Sequence, residues 1–287
     1  MKYALLIGIN YTSVPESTLQ GCINDIKNMS DVLISKYGYD ASNITILRDD
    51  DPTKMPTRVA MLNALNKIVI ASKSNLCTEI WIHYSGHGSQ IKDTNGDEMT
   101  GLDSVIVPVD YKTAGFIEDD LIFKYISQIN CPAMICMDSC HSGTVCDLEW
   151  SFEHTGGSMF RRTRNSSNKR LINNSNIVML SGCKDTGTSA DIYDTDDKQS
   201  EGAFTDALLR ALKQNNYKAP VWMVHRDICL WLSKSGFTQI PLFSGTSPNM
   251  SWNFTPITPI APIVGSGQSI LAGKIVVRQK MIMNMTY

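Results

Sequence analysis

Ten residues decide the fold class of this chain: Glu79-Ile80-Trp81-Ile82-His83-Tyr84-Ser85-Gly86-His87-Gly88. The first half is apolar and rich in β-branched and aromatic side chains, which predicts a buried strand that runs into a polar, glycine-rich turn. A second stretch repeats the pattern, because the apolar residues 134–137 run into Asp138-Ser139-Cys140-His141-Ser142-Gly143. Each turn therefore presents one candidate catalytic side chain, His87 or Cys140, just after a hydrophobic strand.

Strand-like and helix-like apolar patterns alternate along the rest of the chain. Strands are predicted over residues 3–9, 43–47, 79–83, 134–137 and 176–180, and helices over 22–37, 57–71 and 202–214. Gly38 follows the first helix and supplies its stop signal. Strands separated by helices of about 10–15 residues are typical of an α/β fold, so we expect a mostly parallel sheet covered by helices on both faces.

Composition and charge exclude several classes of protein. The 287 residues are 43% hydrophobic and 19% charged, which excludes wholesale disorder. A net charge of −2 argues against a nucleic-acid-binding protein held by phosphate contacts. The first apolar run is interrupted at Asn10 and is too short for a secretory signal, and no run is long enough to span a bilayer. We expect a cytoplasmic protein without a membrane or nucleic-acid partner.

The eight cysteines are expected to be reduced thiols, most of them small buried side chains. Four of them cluster around His141, at positions 131, 136, 140 and 146. This cluster lacks the two-residue gap of a structural zinc knuckle, so we do not predict a zinc site.

His87 and Cys140 together favour catalysis. In open parallel sheets, ligands bind beyond the carboxyl ends of the strands, so the two side chains face each other if their strands are neighbours. A nearby imidazole turns a weakly nucleophilic thiol into an ion pair, and the amides of Gly88 and Cys140 are candidates for stabilising an oxyanion. Taken alone, His87 is more simply explained as a histidine in a turn, and Cys140 as a buried thiol. Their occurrence together, each after a hydrophobic strand, is better explained by catalysis.

The two blocks resemble the catalytic histidine and cysteine blocks of metacaspases. They are separated by 53 residues (140 − 87 = 53), close to the caspase spacing of about 50, while the caspase cysteine signature is absent. Other matches extend the resemblance over about residues 3 to 250: 4–11, 19–25, 101–103, 181–185, 202–205 and 239–241. The resemblance implies a caspase-like three-layer α/β/α fold and a cysteine endopeptidase that cleaves after Arg or Lys, is stimulated by calcium and is mostly monomeric.

The resemblance also implies a pocket for a basic side chain. The family positions that form it correspond to Cys22, Asp25, Ser85 and Asp138. Two carboxylates beside the nucleophile would bind a guanidinium or ammonium group strongly, and we expect the bound cation to help activate Cys140. The simpler interpretation of Asp25 is an ordinary acid in the first turn of a helix.

Calcium is expected from an acidic region. Residues 93–120 contain eight acids and a single cation, Lys112. The run 93–97 is not an EF-hand, because its glycine is misplaced and no glutamate closes the loop. The family's calcium aspartates correspond to Asp103, Asp119, Asp120 and Asp147. A solvated acidic loop is the alternative.

Two segments interrupt the α/β pattern. Residues 151–176 are polar and predict an exposed loop. A peptidase selective for Arg and Lys would be able to cut this loop, in cis or in trans, after one of its basic residues. These are Arg161, Arg162, Arg164, Lys169 and Arg170. Nucleic-acid binding is the competing role. Residues 253–287 form a proline-spaced tail after a peptidase domain at 1–252, and Lys274, Arg278 or Lys280 would allow it to act as a pseudosubstrate. The first strand lies near residue 1, so we expect a short form without an N-terminal prodomain.

The sequence thus predicts a peptidase in which Cys140 attacks the scissile carbonyl and His87 moves the proton. Two alternatives remain: a caspase-like hydrolase of other specificity, and a proteolytically silent scaffold with the same fold.

Overall fold

The structure is a computed structural model, and it describes residues 1–93, 101–140, 146, 148–157, 159–165, 172–182, 190–194, 199–249, 252–257 and 276–279. Six helices lie in these ranges: α1 Cys22–Tyr37, α2 Arg58–Ser72, α3 Tyr111–Ala114, α4 Asp119–Ile126, α5 Ala203–Gln214 and α6 Val221–Lys234. The strands of the main sheet are β1 Lys2–Gly8, β2 Ile44–Arg48, β3 Glu79–Ser85, β7 Ala133–Asp138, β8 Trp150–Gly156, β9 Met159–Arg164, β10 Ile177–Ser181 and β14 Leu242–Gly245. Smaller sheets contain β4 Gly88–Lys92, β5 Leu102–Ile106, β6 Ile117–Glu118, β11 Ala190–Asp194, β12 Gln199–Gly202, β13 Ala219–Pro220, β15 Asn253–Phe254 and β16 Val276–Gln279.

The main sheet has the strand order β2-β1-β3-β7-β10-β14-β8-β9. The first five of these strands are parallel, and the last three join them through antiparallel pairs. This mixed sheet, with helices on both faces, confirms the predicted α/β class. The five parallel strands correspond to the five predicted strands, with bounds that differ by at most two residues at either end.

Alternate residues of the central strands supply two separate cores, because successive side chains in a strand point to opposite faces. On one face, Leu5 and Ile82 pack in a cluster with residues of α2 and α4, such as Leu65 and Ile122. On the other face, residues such as Leu6, Trp81 and Met134 pack with α1, α5 and α6, which contribute Met29, Phe204 and Ile228. The sheet is therefore the middle layer of three.

Helix α1 shows how local sequence sets the element bounds. It begins at Cys22 and ends at Tyr37, as predicted. Gly38 follows in the left-handed conformation, with φ of 71°, and its amide donates to the carbonyl of Leu33. Glycine adopts this conformation without the steric cost of a Cβ, so the chain leaves the helix here.

The prediction of an exposed loop over 151–176 was wrong for its first part. Residues 150–156 and 159–164 pair as the hairpin β8–β9 at one end of the main sheet. The apolar side chains that hold it are few but well placed: Phe152 is buried and stacks on Phe243 of β14, with ring centroids 4.8 Å apart. The basic side chains themselves are exposed, as expected, and Arg162 lies over the Trp150 ring. The sequence of β9 has many basic residues and few apolar ones, and this pattern is typical of a loop rather than of a strand. Lys169 and Arg170 lie outside the described residues.

Parts of the predicted C-terminal tail are paired with the rest of the chain. Strand β15 pairs with β13, and the amide of Ile257 donates to the carbonyl of Lys36 at 2.8 Å. Strand β16, which contains Arg278, pairs with β11. Lys274 and Lys280 lie outside the described residues, so the pseudosubstrate role stays a prediction. The domain boundary at 252 also stays a prediction. In the described part of the chain, helices are all too short or too polar to cross a bilayer.

Candidate active site

The carboxyl ends of β3 and β7 lie side by side. The two strands are parallel neighbours in a register that pairs Ser85 with Asp138. The amide of Gly86 donates to the carbonyl of Asp138 at 3.2 Å, so the pairing continues past the strand ends. His87 and Cys140 each lie two residues beyond this last pair, on strands about 4.8 Å apart. The expectation that the two strands are neighbours is confirmed, and both residues leave the sheet at the same edge.

His87 is held by its surroundings in one orientation. It is 2% exposed, and its Nε2 lies 2.7 Å from the carbonyl oxygen of Ser17. A carbonyl oxygen only accepts hydrogen bonds, so Nε2 carries the hydrogen in neutral imidazole and Nδ1 keeps the lone pair. The nitrogen with the lone pair is the one that accepts a proton. Nδ1 is therefore the ring nitrogen that accepts a proton in the neutral tautomer.

Two tyrosines that the sequence analysis does not single out position the His87 backbone. The hydroxyl of Tyr84 donates to the carbonyl of His87 at 2.6 Å, and the amide of His87 donates to the hydroxyl of Tyr11 at 3.1 Å. The Tyr11 ring also packs against the imidazole, with centroids 4.6 Å apart. Burial, and then the neighbouring Tyr84, raise the pKa of Tyr11 well above its usual value, so it remains a neutral phenol. Tyr11 has a φ of 53°, a conformation that costs free energy in a residue other than glycine.

Cys140 is buried, with 1% of its surface exposed, and it lies against Gly88. A Cβ at position 88 would lie 1.9 Å from the carbonyl oxygen of Cys140, so only glycine fits there. The two residues predicted to supply oxyanion donors are thus in direct backbone contact. Their role as donors stays a prediction.

Asp25 and Asp138 converge on Gly202, at the beginning of α5. Both aspartates are completely buried. The hydroxyl of Ser85 donates to Oδ2 of Asp25 at 2.5 Å, and the amide of Gly202 donates to its Oδ1 at 2.8 Å. A Cβ at position 202 would lie 2.1 Å from Oδ2 of Asp138 and 2.7 Å from Oδ2 of Asp25. Three of the four predicted pocket residues are therefore together, at the same sheet edge as His87 and Cys140.

Asp138 is oriented by Thr205, which the sequence analysis did not single out as a site residue. The amide and the hydroxyl of Thr205 donate to Oδ2 of Asp138 at 3.0 and 2.9 Å. Thr205 lies in the first turn of α5, where unpaired amides and the helix dipole favour an anion. Its Oγ1 also lies 3.2 Å from Nε2 of the buried His83, so β3, β7 and α5 meet at one hydrogen-bonded cluster.

The fourth predicted pocket residue, Cys22, is the first residue of α1. It is buried in the apolar cluster that also contains Ile9 and Tyr11. Its carbonyl oxygen would lie 2.4 Å from a Cβ at Gly8, so α1 begins in close contact with the end of β1. This contact fixes the start of the helix that carries Asp25.

The predicted calcium aspartates are brought together only in part. Asp103 in β5 and Asp119 at the start of α4 are both buried, and Oδ2 of Asp119 accepts the amide of Ser104 at 2.8 Å. Asp120 is half-buried, and its amide donates to Asp119 Oδ1 at 2.9 Å. Asp147 lies outside the described residues. Within the described ranges no group of three or more His, Cys, Asp or Glu side chains is arranged to hold a metal ion, and with Asp147 outside these ranges calcium binding stays a prediction.

Comparison with known proteins gives the family. A family model described as the metacaspase peptidase C14 domain matches residues 2–149. Metacaspase-1A of Neurospora crassa is 33% identical, in an alignment that covers 86% of this chain and 63% of that protein. The chain thus spans a little under two thirds of this relative's length.

Solved structures show the same fold. A crystal structure of a protein from Geobacter sulfurreducens matches with a TM-score of 0.58 at 23% identity, covering 86% of this chain and 93% of that one. Caspase-1 from Spodoptera frugiperda matches with a TM-score of 0.54 at 10% identity, covering 86% and 88%. The likeness to caspase-1 confirms the predicted caspase-like α/β fold of this chain. The two strand ends, the site they build and the matching relatives agree, and the chain belongs to the metacaspase family, peptidase class C14.

Proposed function

We propose that this chain is an endopeptidase that cleaves proteins after Arg or Lys, with Cys140 as nucleophile and His87 as general base and acid. The observation that carries the proposal is the shared sheet edge, where β3 and β7 end side by side and two buried carboxylates converge. A hydrolase of other specificity is the alternative of the same class, and a silent scaffold is the alternative of another class.

The chemistry follows from the orientation of His87. Nδ1 takes the thiol proton as the Cys140 sulfur attacks the scissile carbonyl, and the amides of Gly88 and Cys140 stabilise the negative oxygen that forms. The imidazolium then gives its proton to the leaving amine, and a thioester remains on Cys140. Water activated by the imidazole hydrolyses the thioester and restores the thiol. The hydrogen bond from Nε2 to the Ser17 carbonyl is retained in both protonation states of the ring.

The preference for a basic residue rests on Asp25 and Asp138. Hydrogen bonds from Ser85, Gly202 and Thr205 orient these carboxylates without cancelling their charge. Two negative charges held in a buried site favour a cationic side chain, and a guanidinium group can bond both carboxylates at once. An acidic side chain would be repelled by the same charges.

The proposal is tested with three fluorogenic peptides that differ only in the residue before the scissile bond: Arg, Lys and Asp. We expect hydrolysis of the Arg and Lys peptides and none of the Asp peptide. Cleavage of the Asp peptide alone would favour the hydrolase of other specificity. If all three stayed intact, with calcium and with a chelator, the silent scaffold would be the better interpretation.

Calcium stimulation is a further part of the proposal, supported by the donor chemistry of Asp103, Asp119 and Asp120 together with Asp147. Bound calcium would neutralise carboxylates that otherwise repel one another. We expect a chelator to reduce hydrolysis of the Arg peptide at least about tenfold, and Asp119→Asn to do the same in calcium. Calorimetric titration of a Cys140→Ala variant with calcium gives a readout that does not depend on activity. Equal rates with calcium and chelator, and no heat of binding, would contradict this part.

Self-cleavage is proposed in the basic segment that follows the nucleophile. Arg161, Arg162 and Arg164 lie in β9, whose backbone is paired with β8. A substrate must leave such pairing before its backbone can enter an active site, so these peptide bonds are protected. We therefore expect cleavage after Lys169 or Arg170.

Mass spectrometry of the purified chain locates the cut. The double variant Lys169→Ala/Arg170→Ala is expected to stay intact, while the matched triple variant Arg161→Ala/Arg162→Ala/Arg164→Ala is cut like the wild type. Fragments that end in β9 would show that pairing does not protect this strand. Using Cys140→Ala protein as substrate for the active enzyme distinguishes cleavage in trans from cleavage in cis.

We also propose a monomer in the cytoplasm. The main sheet ends at β9, where Arg161, Arg162 and Arg164 are exposed. Pairing of two copies at this edge would bring like charges together, and charged edge strands resist such association. Light scattering of the purified chain measures its oligomeric state.

A further inference from the structure

Two cysteines outside the site lie in contact at the opposite edge of the sheet. The Sγ atoms of Cys77 and Cys131 are 3.2 Å apart, although the residues are separated by 54 positions in the sequence. Cys77 lies two residues before β3, and Cys131 lies two residues before β7. These are the two strands whose other ends carry His87 and Cys140.

The backbone around the two thiols is fixed by hydrogen bonds. The amide of Ile80 donates to the carbonyl of Pro132 at 2.9 Å, which joins the beginnings of β3 and β7. The side-chain amide of Asn174 donates to the carbonyl of Cys131 at 2.7 Å. Neither sulfur has to travel far to meet the other, since both segments are already held at the separation found in the structure.

The pair is accessible to small reagents. Cys77 is half-buried, while Cys131 is 6% exposed. The residues that follow them in the chain, Thr78 and Pro132, line a cavity of about 270 Å³ that also contacts Glu79 and Trp252. The cysteines themselves do not line this cavity, so a small oxidant or reductant reaches the pair through the exposed part of Cys77.

The two thiols differ in their exposure to solvent. Burial, and then the hydrogen bond with Cys77, raise the pKa of Cys131 to about 12. Cys131 is therefore a protonated thiol at neutral pH. The more exposed Cys77 is the sulfur that an oxidant meets first.

We propose that Cys77 and Cys131 are a redox modification site, where a peroxide forms a reversible disulfide that links the beginnings of β3 and β7. Hydrogen peroxide oxidises the Cys77 thiol to a sulfenic acid and leaves as water. The Cys131 sulfur then attacks the Cys77 sulfur, its proton joins the departing hydroxyl, and a second water leaves. Two thiols lose two electrons in total and one peroxide gains them, so the step balances.

The expected effect is on stability. A link across 54 positions restricts the unfolded chain, so oxidation is expected to raise the midpoint of thermal unfolding by roughly 5 °C or more. A dithiol reductant is expected to reverse the shift.

The experiment uses full-length protein with Cys140→Ala, which removes self-cleavage and the candidate nucleophile, so its outcome does not depend on the proposed function. After treatment with dilute hydrogen peroxide, peptide mapping without reduction is expected to find Cys77 joined to Cys131, with the mass of two hydrogens lost. Thermal unfolding is measured on the same samples with and without reductant. Cys77→Ser, at a half-buried position, is expected to lose both the linked peptide and the thermal shift.

The matched control is Cys229→Ser. Cys229 is also half-buried, but its Sγ lies 3.7 Å from a histidine nitrogen, Nε2 of His225. This variant is expected to keep the Cys77–Cys131 link and the shift. The proposal is overturned if peroxide leaves Cys77 as a sulfinic acid or joined to another cysteine, or if Cys77→Ser retains the reversible shift.

Discussion

Replacing Cys140 by alanine is expected to lower kcat for an Arg peptide by at least about 1,000-fold, because the variant has no atom that can form the thioester. His87→Ala should cause a similar loss, since the thiol then has no base within the site. The double variant should be no worse than either single variant, because the two side chains act as a unit. Steady-state hydrolysis of the fluorogenic peptide measures all three.

Cys136→Ala is the matched control for Cys140→Ala. Cys136 lies on the same strand, β7, and is completely buried. Burial, and then the charge of Asp138, raise the pKa of the Cys136 thiol well above its usual value, so it is not expected to act as a nucleophile. We expect Cys136→Ala to hydrolyse the Arg peptide at close to the wild-type rate, with some loss of thermal stability from the small cavity. If Cys140→Ala retained activity and Cys136→Ala lost it, the nucleophile would be misassigned.

Asp25→Asn and Asp138→Asn are each expected to lower kcat/KM for the Arg peptide about 100-fold or more, because each removes one of the two charges that attract the guanidinium group. Asparagine keeps the size of the side chain, and its amide oxygen can still accept the hydrogen bond from Gly202 or Thr205. The pocket should therefore keep its shape and lose its charge.

A citrulline peptide isolates that charge, since citrulline has nearly the shape of arginine but is neutral. The wild type should prefer arginine strongly, and the two variants should lose most of this preference by losing activity on arginine alone. Asp206→Asn is the control, because Asp206 is a buried acid of the same helix, α5, that pairs with Arg210 at 2.7 Å. An unchanged ratio of arginine to citrulline cleavage in Asp25→Asn would refute the pocket.

Local patterns predicted the parts of the fold that depend on local chemistry. The bounds of α1 follow from its apolar spacing and from Gly38, and the five parallel strands follow from their continuous apolar runs. The hairpin β8–β9 was missed because its strand character rests on isolated residues such as Phe152, which are recognisable only beside Phe243 of β14. Sequence analysis predicts neither β14 nor α6.

The residues of the candidate site also divide into those that the sequence predicted and those that it did not. His87 and Cys140 could be found because each follows a hydrophobic strand in a glycine-rich turn. The residues that orient the side chains of the site could not be found from the sequence, because their contacts join distant parts of the chain. Thr205 bonds Asp138 across 67 positions and His83 across 122. The Tyr11 hydroxyl reaches His87 across 76 positions. Aromatic residues just beyond β1 and in β3 were the only local sign of this support.

The hydrogen bond between Nε2 of His87 and the carbonyl of Ser17 has a consequence for protein engineering. Ser17 belongs to the connection between β1 and α1, and the same connection leads directly into the helix that carries Asp25. Under the proposed function, one short piece of backbone would set both which nitrogen takes the proton and where the helix that carries Asp25 begins. A graft of this connection from a relative is therefore expected to change selectivity and turnover together wherever it moves the Ser17 carbonyl.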